Sequence, residues 1–237
     1  MTTVPHIVSA FDSDLQLLQA KIAEMGGLAE ELLSHALEAI QRRDDELAAQ
    51  VVERDKALDH MEQELERLSI RTLALRQPMA VDLRETISAL KIASTLERIG
   101  DLSKNIARRA QFLTRNQPIR LAAPVVRMGR QTLVQLTEVL DAYAARDTGL
   151  ATAVWRKDVE VDEMYNSLFR ELITYMMEDT RTISLCSQLM FVAKNLERIG
   201  DHTTFIAEMT YYVVEGEKLA DDRPKGEPID AMLDFDV

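Results

Sequence analysis

Leu96-Glu97-Arg98-Ile99-Gly100-Asp101 recurs letter for letter as Leu196-Glu197-Arg198-Ile199-Gly200-Asp201. Outward from these hexamers, Ala93 matches Ala193, and Ile106-Ala107 matches Ile206-Ala207. Further upstream, Asp55, Asp59, Met61 and Leu65 correspond to Asp158, Asp162, Met164 and Leu168. The offset is 103 in the upstream segments and 100 in the downstream ones, so the change falls near the turns that connect them. Identity in register along matching segments marks a duplicated architecture rather than a shared composition.

Around the hexamers, apolar residues recur in steps of three and four, as amphipathic helices require. Breaks at Arg43-Asp44-Asp45, Gln77-Pro78, Asn116-Gln117-Pro118, Arg146-Asp147-Thr148-Gly149 and Glu178-Asp179-Thr180 leave six helical stretches. They run from about 10–43, 46–76, 79–115, 121–145, 149–178 and 182–215. Pro78 is expected in the first turn of the third stretch, where its missing N–H costs nothing. The expected fold is all-α, with two tandem, sequence-related three-helix bundles at 1–116 and 117–216. The acidic tail 217–237 carries Pro224 and Pro228 and is expected to be mobile or loosely docked.

Composition agrees. Only 8 Gly, 6 Pro and 5% aromatics among 237 residues leave too few turn and strand formers for a sandwich or a parallel-sheet enzyme. The net charge of −12 argues against a duplex nucleic-acid binder. A single cysteine, Cys186, closes no intrachain disulfide, and no CxxC suggests a thiolate metal site. Asp12 and Asp14 interrupt the one apolar stretch near the N-terminus, and no run of 18 apolar residues follows. A cytoplasmic protein is the expectation.

The charge pattern is more specific. Up to residue 216 an acid is followed four residues later by Asp only at Asp55/Asp59, Glu97/Asp101, Asp158/Asp162 and Glu197/Asp201. All four pairs are repeat-equivalent. Residues four apart share a helix face, so each pair can share a cation, and without one the like charges repel. The first two pairs centre on positions 57 and 99, with Pro78 at their midpoint; the second two centre on 160 and 199, with the Asp179–Thr180 turn between. Antiparallel helices folded at those turns bring each half's four carboxylates to one height. Ile87, Leu90, Ser94, Glu97 and Asp101 follow one seam, beside Leu96, Ile99 and Ile106, so the acids belong at the edge of a helix contact. Oxygen-only donors favour Mg²⁺, Mn²⁺ or oxidised iron. Gly100 and Gly200 are costly inside helices and imply the close approach of a backbone or ligand.

Other residues read more plainly. Arg98 and Arg198 could neutralise the acids of a solvated face, and His60 and His202 are expected at the surface. Met176, Met177, Met190 and Met209 are expected in the core, while Arg42-Arg43 and Arg108-Arg109 suit helix dipoles and solubility. No Glu-x-x-His, HExxH, P-loop, GxSxG or EF-hand pattern occurs.

The two Leu-Glu-Arg-Ile-Gly-Asp segments resemble the duplicated signature of the PhoU family. So do Arg76-Gln77-Pro78-Met79-Ala80-Val81-Asp82-Leu83-Arg84, Tyr175-Met176-Met177-Glu178-Asp179 and Ile206-Ala207-Glu208. The resemblance spans about residues 10–215. It implies two three-helix bundles, multinuclear metal sites at the acidic motifs, and a role in holding down the phosphate-starvation response. The partners it implies are the phosphate ABC transporter, through its ATPase subunit, and a sensor histidine kinase. A homodimer is the expected assembly. Three positions depart from the family pattern: Thr95 and Phe205 stand where Asp and Asn are frequent, and Thr180 where proline is. The first two departures could lower metal count or affinity; the third loosens a turn. Two competing readings are a metal-dependent hydrolase or phosphatase, which lacks an obvious base or nucleophile, and a purely structural bundle.

Overall fold

The computed structural model describes residues 4–118 and 120–219. Six long helices follow in order: α1 (Val4–Arg42), α2 (Asp45–Arg76), α3 (Val81–Thr114), α4 (Ala122–Ala145), α5 (Thr148–Glu178) and α6 (Ile183–Glu215). A 3₁₀ turn, Thr180–Thr182, precedes α6, and no strand occurs among the described residues. Gly216 ends α6 at φ 83°, its N–H reaching Tyr212 O at 3.0 Å. The acidic-tail reading falls mostly on residues 220–237, which lie outside the described residues.

The duplication extends to the turns. Arg43 and Arg146, 103 apart, both adopt left-handed backbone, at φ 58° and 54°. Asp44 N–H then bonds Ala39 O at 3.0 Å, and Asp147 N–H bonds Ala142 O at 2.9 Å, closing each helix over its left-handed residue. Asp44 and Asp147 next cap the following helices, accepting at 2.9 Å from Leu47 N and Leu150 N.

Pro78 is not in the first turn of α3. Gln77 caps α2 in left-handed backbone, Ala80 lies at φ 51°, and α3 starts at Val81. The first α3 amides reach back only to Met79 O and Ala80 O, so the proline stays in the connection. A proline disfavours right-handed helix at the residue before it, which explains why α2 stops at Gln77.

Helices α1, α2 and α3 pack together, as do α4, α5 and α6, while α1 meets α4 and α3 meets α6 across the halves. The α3–α6 contact is antiparallel: Arg109 Nη1 donates to Gln188 Oε1 at 2.7 Å near one end, and Arg84 lies against Gly216 at the other. Arg109 also stacks 4.3 Å from the Phe191 ring centroid, so it joins the halves instead of serving a helix end. The α1–α4 contact is antiparallel too, with Arg130 Nη2 donating to Gln41 Oε1 at 2.6 Å and Leu37 filling the space a side chain on Gly129 would need. Leu96, Ile99, Ile106 and their copies Leu196, Ile199 and Ile206 are fully buried, as the spacing predicts. Met209 is buried and Met176 and Met190 partly so, but Met177 is 80% exposed beside the α5–α6 turn, where no facing helix covers it. Arg42 pairs with Glu38 at 2.6 Å, and Arg43 donates to Thr114 O at 2.9 Å, serving the C-terminus of neighbouring α3. No helix of the described residues is long and apolar enough to cross a membrane.

Candidate functional site

The turns at Gln77–Ala80 and Asp179–Thr182 fold α2 against α3 and α5 against α6, so each half gathers its two acidic pairs. Asp55 and Asp158 are the innermost members, each 1% exposed; Asp59, Glu97, Asp101, Asp162, Glu197 and Asp201 are half-buried at the seam. The glycines explain how a carboxylate fits there. A Cβ on Gly200 would stand 2.7 Å from Asp158 Oδ1 and 3.5 Å from Val161 Cγ1. A Cβ on Gly100 would stand 3.0 Å from Asp55 Oδ1 and collide with Leu58 Cδ2. The glycines thus admit the side chains of the facing helix, not a backbone or a ligand.

In the first half the neutralising group is Lys104. Its Nζ donates to both Asp55 Oδ2 and Asp101 Oδ1. Burial alone would lower this ammonium, but hydrogen bonds to Asp101 and Asp55 outweigh it and hold its pKa above the usual lysine range. Burial pushes Asp55 up, Lys104 pulls it down, and the Asp59 and Asp101 charges add to the rise. Glu97 is raised by burial first, then by Asp101, Glu62, Asp59 and Asp55. These couplings place the four predicted acids in one electrostatic cluster, with Glu62 as a further member.

The second half differs in where its basic group stands. One hundred residues after Lys104 stands Thr204, whose hydroxyl donates to Asp201 O at 2.8 Å. Glu197 is raised by burial; Lys194, 2.6 Å away, opposes that rise, while Asp201 and Asp162 add to it. Lys194 also lies 5.2 Å from the centroid of Tyr165, the counterpart of Glu62.

The other sequence candidates are rearranged. Arg98 and Arg198 are exposed, and both act on His202, which is half-buried; burial and these two cations lower its pKa. His202 is therefore not a plain surface residue. His60 is, its Nε2 lying 3.3 Å from Glu64 Oε1. Thr95 is buried and donates to Lys91 O at 2.8 Å, and Phe205 packs against the core. Sequence reasoning missed Lys104 and Glu62, although both lie three residues past an acid of a named pair, within reach on the same face.

As the side chains stand, no three carboxylate, imidazole or thiol groups of the described residues converge closely enough to hold an ion. The donor chemistry nonetheless suits a hard cation: every candidate ligand is a carboxylate, and buried Asp55 Oδ1 has no hydrogen-bond partner. An ion in the first cluster would replace the Lys104 ammonium between Asp55 and Asp101.

The PhoU domain matches this chain twice, at residues 22–110 and 125–210. The chain is 50% identical over 221 residues to the Phosphate-specific transport system accessory protein PhoU homolog of Caulobacter vibrioides, covering 93% of this chain and 96% of that one. It is 37% identical over 230 residues to the Phosphate-specific transport system accessory protein PhoU of Escherichia coli K12, covering 96% and 94%. The crystal structure of PhoU from Pseudomonas aeruginosa superposes with a TM-score of 0.85 at 40% identity, covering 87% of this chain and all of that one. With its doubled domain, its six-helix architecture and this identity along nearly its whole length, the chain belongs to the PhoU family.

Proposed function

We propose that this protein is a non-enzymatic accessory regulator of phosphate uptake. In this reading it holds down the phosphate-starvation response as an adaptor between the ATPase subunit of a phosphate ABC transporter and a sensor histidine kinase. The observation that carries the reading is 37–50% identity, over 93–96% of the chain, to accessory proteins of phosphate-specific transport systems. The paired antiparallel α3 and α6 give a rigid spine on which extended docking faces can be held. In the same reading the protein works in the cytoplasm as a homodimer and meets the membrane through its partners.

The acidic clusters would hold metal: Asp55, Asp59, Glu97 and Asp101 in one half, Asp158, Asp162, Glu197 and Asp201 in the other. Mg²⁺, Mn²⁺ or oxidised iron suits these donors. When bound, the ion supplies positive charge that ties the facing helices together. In the first half the ion would compete with the Lys104 ammonium, and in the second with Lys194 beside Glu197.

Deleting the gene and following a starvation-gene reporter in phosphate-replete medium tests the regulatory reading. The reporter should switch on, or phosphate uptake should become harmful; normal expression with normal uptake overturns it. Hydrolysis of a generic phosphoester by the metal-loaded protein, lost in Asp201→Ala, would overturn the non-enzymatic assignment.

A further inference from the structure

Four arginines, Arg43, Arg120, Arg127 and Arg130, line a cavity of about 430 Å³ where the C-terminal ends of α1 and α3 meet the N-terminal end of α4. No acidic residue shares that lining, although acids outnumber bases 40 to 28 along the chain. Among the described residues none of the four forms an ion pair with a carboxylate: Arg43 donates to Thr114 O and Asn116 O, and Arg130 to Gln41 Oε1. Concentrated like charge of this kind is relieved by an anion. The adjoining first turn of α4 has neither a side-chain cap nor an acid, and its Ala122 and Ala123 lie in the same lining, so uncapped N–H groups adjoin the arginines, while Arg43 answers the carbonyl end of α3.

Apart from Gln41 and Gln117, the rest of the wall is apolar. Ile40, Leu113 and Val126, each only 5–6% exposed, form its apolar floor. The volume is within the ~300–1,000 Å³ range of small-molecule sites. An inorganic ion would leave this floor unused, and the lining has no aromatic face for stacking a nucleobase.

We propose that the cavity binds an amphiphilic organic anion. Its phosphate or carboxylate head is held by Arg120, Arg127 and Arg130, and its apolar body lies over Ile40, Leu113 and Val126. The site is separate from the acidic clusters and independent of the phosphate-transport reading. A soluble metabolite and the headgroup region of an anionic lipid present the same chemistry.

Calorimetric titration of the full chain with octyl phosphate, below its micelle-forming concentration, tests the proposal beside octyl glucoside and inorganic phosphate. Saturable one-to-one binding of octyl phosphate is expected, about tenfold or more tighter than either control. Arg127→Gln with Arg130→Gln, both at exposed positions, should weaken it about tenfold or more without changing the helical circular dichroism. Ala123→Phe, which fills the cavity from an exposed helix position, should abolish it and provides a second variant should the first fold poorly. Absence of saturable binding overturns the proposal, as do equal affinity for either control and indifference to both variants. Sedimentation with phosphatidylglycerol but not phosphatidylcholine vesicles, lost in the double variant, assigns the anion to a lipid. Octyl phosphate binding without vesicle capture assigns it to a soluble ligand, and both outcomes support the shared chemistry.

Discussion

Asp158 Oδ1 stands 2.7 Å from the point a Cβ on Gly200 would occupy, so the glycine and the buried aspartate define one another's place. Gly200→Ala gains ~1 kcal/mol of helix propensity but forces the buried carboxylate to move. Overpacking of this kind costs ~1–3 kcal/mol, so net destabilisation is expected in urea titrations. Gly27→Ala is the control, since nothing lies within 4 Å of a Cβ there, and it should stabilise by ~0.5–1 kcal/mol. Equal stabilisation by both substitutions would contradict the packing described here.

Lys104→Met removes the ammonium from Asp55 and Asp101 and leaves a carboxylate buried without its cation. Losing one partner of a buried pair costs ~3–5 kcal/mol, and solvent at the partly open Lys104 reduces the expected loss below that, to ~2–3 kcal/mol. Added Mn²⁺ should restore part of the loss, read as a Tm difference with and without metal. A variant as stable as the parent would show that Lys104 is not the neutralising group.

Much of this arrangement was legible in the sequence, and the failures are instructive. The hexamer repeat, the six helices and the heights of the acidic pairs follow from spacing, because side-chain period and turn position are local properties. Which cation answers the acids is not local. Arg98 is adjacent to Glu97 in sequence yet points about 100° away, whereas Lys104 stands one turn on from Asp101 on the same face. Arg109 looked like a helix-end charge until α6 brought Gln188 and Phe191 against it. Pro78 misled for a different reason: a proline just before a helix can sit in its first turn or in the connection, and the left-handed Gln77 decides between them.

Metal binding should raise the Tm of the parent protein, since an ion binds the assembled clusters better than the unfolded chain. Asp201→Ala and Asp101→Ala should each remove part of that rise, and the two together most of it. Scanning calorimetry with Mg²⁺ or Mn²⁺ reads both, and a rise unchanged by either substitution rules these acids out as principal ligands.

Tyr143 offers a pH readout far from the clusters. Burial first, then the Glu85 carboxylate, pushes its phenol up to about 12, with Arg146 opposing. A raised pKa means that the folded state holds a proton the unfolded chain has lost. The stabilisation is therefore complete below pH ~10, the ordinary tyrosine value, and disappears as pH climbs towards 12. Absorbance titration at alkaline pH should show a late-ionising fraction that Tyr143→Phe diminishes; an unchanged late fraction would contradict the buried placement.

The adaptor reading rests finally on physical association. The full chain, tagged and recovered after crosslinking from phosphate-replete cells, should bring with it both the ATPase subunit of the phosphate transporter and the sensor histidine kinase. Recovery of neither, from cells in which the tagged chain still represses the starvation genes, would contradict the adaptor account.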